Sequence, residues 1–123
     1  MKLVKPAADR AVPRGVVGGA EVSAATTGAT SIYMSVFRLE PGARSRPHYH
    51  AQCESACFML SGEMVVSWGD GLEEQLTVRP GDMLFVPPHE THVLFNPHET
   101  APAEYVVARN AATEDSVEVP WAG

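Results

Sequence analysis

The sequence predicts an all-β fold, a sandwich or barrel built as one domain, and three observations carry that expectation. Short stretches rich in β-branched and aromatic residues recur between turn signals, as they do in proteins made of many short strands. Ten Gly and ten Pro interrupt the chain so often that the longest stretch free of both runs from Ala103 to Val119, which excludes long helices. The 123 residues suffice for one ordinary domain and not for two, so residues 1–123 are read as a single unit.

The strands are predicted in order. Val16 to Val22 opens the set. Ser31 to Leu39 follows, where Ile32, Met34 and Val36 alternate with Tyr33, Ser35 and Phe37 at the period of a strand with one face deeply buried. Ser55 to Leu60, Glu63 to Trp68, Glu73 to Val78, Met83 to Val86, Thr91 to Phe95 and Glu104 to Arg109 complete it. Three turn signals make the middle of the chain read as a run of hairpins. Gly69-Asp70-Gly71 tolerates positive φ, Leu60-Ser61-Gly62-Glu63 reverses the chain, and Arg79-Pro80-Gly81-Asp82 has the Pro and Gly of a type II turn. Residues before about Gly15 and after about Asp115 carry weak patterns and are expected to form edge pieces or to wrap a partner subunit. Ten apolar side chains, Met34, Phe37, Phe58, Leu60, Met64, Val66, Leu84, Val86, Leu94 and Phe95, are assigned to the core and a pocket wall.

Composition narrows the function. Hydrophobic residues at 45% and charged residues at 20% exclude a disordered tail. Nine Lys and Arg against fifteen Asp and Glu give a net charge of −6 without a basic cluster, which argues against nucleic acid as the partner. No apolar run approaches the ~20 residues of a membrane-spanning helix. The amino-terminal MKLVKPAADRAVPRG has charges and prolines where a signal peptide needs an apolar core, so a cytoplasmic protein is expected. Cys53 and Cys57 on an extended segment would stand roughly 13 Å apart, beyond disulfide reach, and are read as free thiols.

Four of the five histidines fall in two groups, His48 with His50 and His89 with His92. Residues i and i+2 of an extended segment point the same way, so His48 and His50 can face one ion. Glu54 offers a carboxylate four residues on, and His92 adds an imidazole from a distant strand. Histidines with one carboxylate suit a divalent transition metal, Fe, Mn, Zn, Ni or Cu, whereas Mg and Ca want more oxygens.

The stretch GARSRPHYHAQCESACFMLSG, residues 42–62, resembles the first motif of the cupin superfamily at Gly42, His48, His50 and Gly62. GDMLFVPPHETHVLFN, residues 81–96, resembles the second at Gly81, Pro87, His92 and Asn96. The resemblance implies a single-domain cupin β-barrel, a double-stranded β-helix of the jelly-roll type. It also implies a metal held by the first motif's histidines and glutamate together with the second motif's histidine, and pairing into a homodimer through an amino-terminal strand. Asn96 is expected to hydrogen-bond backbone after the metal strand, and Pro87-Pro88 to position it.

Two departures from the motifs matter. Seven residues separate Glu54 from Gly62 where the pattern has six, so counting back from Gly62 puts Ser55 in the glutamate slot. Because a one-residue slip reverses the face a side chain occupies, a bulge is expected to turn Glu54 inward. The alternative is three histidines plus water, or a site drawing on Gln52 or Cys53 that shifts preference toward zinc. His89 replaces the second motif's last glycine and is read as a catalytic acid, base or substrate hook, with a surface turn residue as the alternative. Tyr33, Tyr49 and Tyr105 are candidate pocket hydroxyls, although Tyr49 faces away from its neighbours by alternation. Arg38, Arg44 and Arg46 are candidate anion clamps or surface charges.

The resulting expectation is a metal-dependent enzyme acting on a small organic substrate, with dioxygenase or oxidoreductase chemistry preferred and isomerase or decarboxylase chemistry as alternatives. A non-catalytic metal- or ligand-binding sensor or accessory protein is the competing class. A metal-free epimerase working through a histidine base and a tyrosine acid is a third, against which the paired histidines and His92 count.

Overall fold

Two antiparallel sheets enclose one apolar core in the computed structural model, which describes residues 1–12, 15–113 and 115–120. The strands are β1 (Arg10–Val12), β2 (Val16–Val22), β3 (Tyr33–Leu39), β4 (His48–His50), β5 (Ser55–Ser61), β6 (Met64–Trp68), β7 (Glu74–Val78), β8 (Met83–Val86), β9 (His92–Phe95), β10 (Ala103–Arg109) and β11 (Ser116–Glu118). One sheet runs β1-β2-β3-β10-β5-β8 and the other β11-β4-β9-β6-β7. The eight strands expected from sequence are present, and the edge pieces anticipated near the ends are β1 on β2 and β11 on β4.

The expected run of hairpins is corrected. Gly69-Asp70-Gly71 does make a tight reversal, with φ of +81° and +66° at its glycines, and β6 pairs β7 across it. The turn after β5 instead carries the chain from the first sheet to the second, and the turn after β7 carries it back. Turn chemistry specifies that the chain reverses; which sheet receives the next strand depends on where its apolar face is buried. At the second crossing Asp82 donates its N–H to the Arg79 carbonyl at 2.9 Å, and Gly81 has φ +90°, as a type II turn requires. At the first, Gly62 has φ +71°, and a Cβ there would lie 2.4 Å from the Pro102 carbonyl oxygen.

A single helical turn, α1 (Ala24–Thr27), was not expected from sequence. Ser23 caps it by accepting from the Thr26 N–H, Thr26 accepts from the Ser23 N–H in return, and Gly28 closes it in the left-handed region. A Thr at the third helical position, where Glu or Gln is usual, disguises the signal.

Burial alternates along β3, β5 and β10, and the inward residues Phe37, Leu39, Met59, Ala103 and Tyr105 pack against Met64, Val66, Val78 and Leu94 of the facing sheet. The apolar assignment is corrected at three positions. Met34, Phe58 and Leu60 are exposed, on the outer face of the first sheet. Both faces of these strands are apolar, so composition cannot tell core from surface there.

Candidate metal centre

His48 and His50 lie on β4, separated by an outward Tyr49, and both imidazoles are buried. β4 pairs with β9 at His48↔His92, so the third imidazole stands directly across the ladder from the first. The ring centroids lie 4.4 Å apart for His48–His92, 5.3 Å for His48–His50 and 5.8 Å for His50–His92. One ring nitrogen from each falls within 4.8 Å of the others.

The Nδ1 contacts orient all three rings. His48 Nδ1 donates to the Arg46 carbonyl at 2.7 Å, and His92 Nδ1 donates to the Glu90 carbonyl at 2.8 Å, the same two-residue step back in each case. His50 Nδ1 donates to the Asp115 carboxylate at 3.2 Å. Because these acceptors require the proton on Nδ1, the nitrogen that presents a lone pair in each neutral ring is Nε2. Three imidazoles on adjoining strands, each with Nε2 left free of its Nδ1 hydrogen bond, are a ligand set that fits a divalent transition metal.

Asp115 is the residue that the sequence missed. Besides His50, it accepts from the Gln52 N–H at 2.8 Å and from the Cys53 thiol at 3.3 Å. Burial pushes its carboxyl pKa up, but the Gln52 amide, the Cys53 thiol and His50 together outweigh that and hold it below the usual value. His50, Cys53 and Asp115 also form a second group with potential ligand atoms within 4.8 Å of one another. No local signal joins His50 to Asp115, which lies 65 residues along the chain.

Glu54 does not join the histidines. Burial alternates without a break from Cys53 through Met59, so the expected bulge is absent, Glu54 is exposed, and Ser55 occupies the inward slot. The backbone N–H of Glu54 is held by Asn110 Oδ1 at 3.0 Å, fixing this register. His89 is also outside the cluster. It is exposed, its ring lies 5.8 Å from that of Tyr49, and its N–H donates to the His50 carbonyl at 2.8 Å. Its φ of +63° explains why a glycine suits the slot and identifies it as a turn residue.

The histidines line a space of about 40 Å³ together with Ser55, Tyr105 and Arg109. Arg109 is 5% exposed, with its guanidinium 4.3 Å over the Tyr33 ring. The period-two alternation from Ala103 and Tyr105 would have flagged it as inward. Cys57 lines the same space, where burial pushes its thiol up to about 12. Arg38 and Arg46 face outward onto Asp9 and Glu118, and Arg44 lies 4.7 Å over the Phe95 ring, so none clamps this space.

Two facing antiparallel sheets with three inward histidines on neighbouring strands define a double-stranded β-helix with a buried imidazole site. The cupin domain family matches residues 35–109, and the chain belongs to that family. It is 28% identical over 95 residues to germin-like protein 3-1 of Oryza sativa subsp. japonica, spanning 76% of this chain and 42% of that protein. An oxalate oxidase solved with glycolate superposes with a TM-score of 0.76 at 26% identity, covering 93% of this chain and 60% of that one. The chain thus spans under two thirds of the length of these relatives. The polyketide cyclase RemF from Streptomyces resistomycificus shares the fold at a TM-score of 0.81 and 19% identity, covering 99% of this chain and 87% of that one.

Proposed function

We propose that the chain is a metal-dependent catalyst for a small organic molecule, with His48, His50 and His92 holding one divalent transition metal ion. The observation that supports this most directly is that each ring is bonded through Nδ1, with one ring nitrogen of each gathered within 4.8 Å of the others.

The exposed Glu54 changes the preferred chemistry. Histidine and carboxylate ligands with free sites suit oxygen-dependent oxidation at ferrous iron, whereas three neutral imidazoles leave the ion's charge undiminished, as in catalytic zinc sites. When bound, such an ion supplies Lewis-acid polarisation of a substrate carbonyl or enolate oxygen. Arg109 adds positive charge to the same space, favouring an oxygen that gains negative charge. Phe37, Leu84 and Val107 give it apolar walls. Isomerase, decarboxylase and cyclase reactions share this need. Oxidation by dioxygen is the second reading, supported by the 26% identity to oxalate oxidase.

Metal-stripped protein reconstituted separately with Zn, Fe and Mn, and screened on cyclic diketones, catechols and keto acids in an oxygen electrode, separates these readings. Turnover with Zn and no oxygen uptake is expected. Uptake confined to Fe or Mn supports oxidation. Ligand-dependent thermal shifts without turnover under any metal would leave a binding protein and remove the catalytic proposal.

The reading includes a homodimer. The outer face of the first sheet carries apolar residues in register, all exposed but the half-buried Val106: Val36, Val106, Phe58 and Met83 in one row, and Met34, Ala108, Ala56 and Phe85 in the next. Four strands about 4.8 Å apart, with about six residues of rise, make a face of roughly 400 Å² in plan. Exposed apolar surface of that extent marks an interaction site, and a twofold axis would set like rows against each other. The expected amino-terminal strand, β1, pairs within its own chain. Two unbridged, buried cysteines fit a reducing compartment such as the cytoplasm.

A further inference from the structure

The thiol of Cys53 has no part in the histidine triad, yet it meets His50 at a single oxygen. Asp115 Oδ1 accepts from His50 Nδ1 at 3.2 Å and from the Cys53 thiol at 3.3 Å, while Oδ2 accepts from the Gln52 N–H at 2.8 Å. Two protons therefore converge on one carboxylate oxygen, whose orientation the Gln52 amide fixes. Donor atoms about 2.0–2.3 Å from a tetrahedral ion stand roughly 3.3–3.6 Å from one another. Both observed separations are close to that, and one ligand atom from each of the three residues lies within 4.8 Å of the others. A cation can thus take the place of the two protons with little movement of the side chains. Cys53 is 1% exposed, whereas the Asp115 side chain is 21% exposed, so the carboxylate is the approach from solvent.

We propose that His50 Nδ1, Cys53 Sγ and the Asp115 carboxylate form a second metal site, for a soft divalent cation of the cadmium class, and that filling it keeps an ion off the histidine triad. Binding releases the thiol proton to solvent and moves the His50 proton from Nδ1 to Nε2. A neutral imidazole has one lone pair, so with Nε2 protonated His50 is lost to the triad. Conversely, an ion on Nε2 keeps the proton on Nδ1, where Asp115 holds it. One thiolate and one carboxylate balance the charge of a divalent cation, which burial demands. Iron, manganese or zinc reaches three imidazoles without displacing a thiol proton, so the sulfur site is selective for a cation softer than zinc. Only the exclusion rests on the metal-centre reading; the sulfur site does not.

The probe is Cd²⁺, added to reduced, metal-free His48→Ala, in which the triad is broken. Thiolate-to-cadmium charge-transfer absorption should saturate at one cadmium per chain, persist when Cys57→Ala is added, and vanish with Cys53→Ser. If Cys53→Ser does not fold, Asp115→Asn, which keeps an acceptor and loses the charge, should lower cadmium affinity by at least about tenfold. In ¹⁵N-labelled His48→Ala, two-bond proton–nitrogen correlations should show the His50 proton on Nδ1 before cadmium and on Nε2 after it. Absent absorption, absorption that survives Cys53→Ser, unchanged affinity in Asp115→Asn, or a proton that stays on Nδ1 would overturn the sulfur site. In the parent protein loaded with zinc, cadmium should release one zinc for each thiolate-bound cadmium; zinc retained beside it would overturn the exclusion. Failure of the histidines to hold zinc would remove the exclusion and leave the His48→Ala results intact, so the two readings fail separately.

Discussion

At the scale of single residues, the carboxylate that matters to the site lies behind a histidine, at the His50 Nδ1, and not among the three imidazoles. Asp115 fixes the His50 ring through Nδ1, and such outer partners typically govern metal affinity by about 10–100-fold. Asp115→Ala should weaken metal binding by that order in competition with a chromophoric chelator, and Asp115→Asn, which keeps an acceptor, should lose less; unchanged affinity in both would remove this role. Asn96 does structural work of another kind. Fully buried, it donates to the Leu39 carbonyl at 3.1 Å and the Ala101 carbonyl at 2.9 Å, and accepts from the His98 N–H at 3.0 Å. Asn96→Ala strands these backbone groups and should cost about 2–4 kcal/mol in urea unfolding with metal binding retained. Asn96 was legible through the motif resemblance, which gives that position a backbone hydrogen-bonding role, although one partner, Leu39, lies 57 residues away. Asp115 was not, because nothing local relates it to His50.

Element-scale features divide in the same way. The strand β4 follows from two histidines around a tyrosine, since period-two alternation alone turns both imidazoles one way. The misjudged bulge at Glu54 shows the limit of a motif count: the register shifts instead near the end of β5, where Met59 and Ser61 pair with the adjacent residues Tyr105 and Glu104, and strand alternation at Ser55 stayed regular. The sheet-switching turns were legible as turns only. Gly62 and Gly81 both have positive φ, yet a Cβ at Gly62 would meet the Pro102 carbonyl while one at Gly81 has open space. Gly81→Ala should therefore cost about 1 kcal/mol, the left-handed penalty, whereas Gly62→Ala should cost at least about 2 kcal/mol. Equal melting temperatures for the two variants would show that close approach to the Pro102 carbonyl does not constrain the first crossing.

On the scale of the whole molecule, the barrel assigns opposite tasks to the two faces of its first sheet. Its inner face closes the core and carries Arg109 to the histidines, and its outer face is left apolar. Light scattering should give the mass of two chains for the protein and of one chain for the double variant Met83→Glu, Phe85→Lys; a monomeric parent protein would contradict the dimer. The central claim is that the fold brings three imidazoles from β4 and β9 onto one ion. Elemental analysis of purified, metal-reconstituted protein tests this most directly, with His98→Ala as the control because His98 is exposed and lies 3.1 Å from Glu63. The account predicts close to one transition metal ion per chain in the parent and in His98→Ala, and a steep fall in each of His48→Ala, His50→Ala and His92→Ala; a full complement retained in those three variants would contradict it.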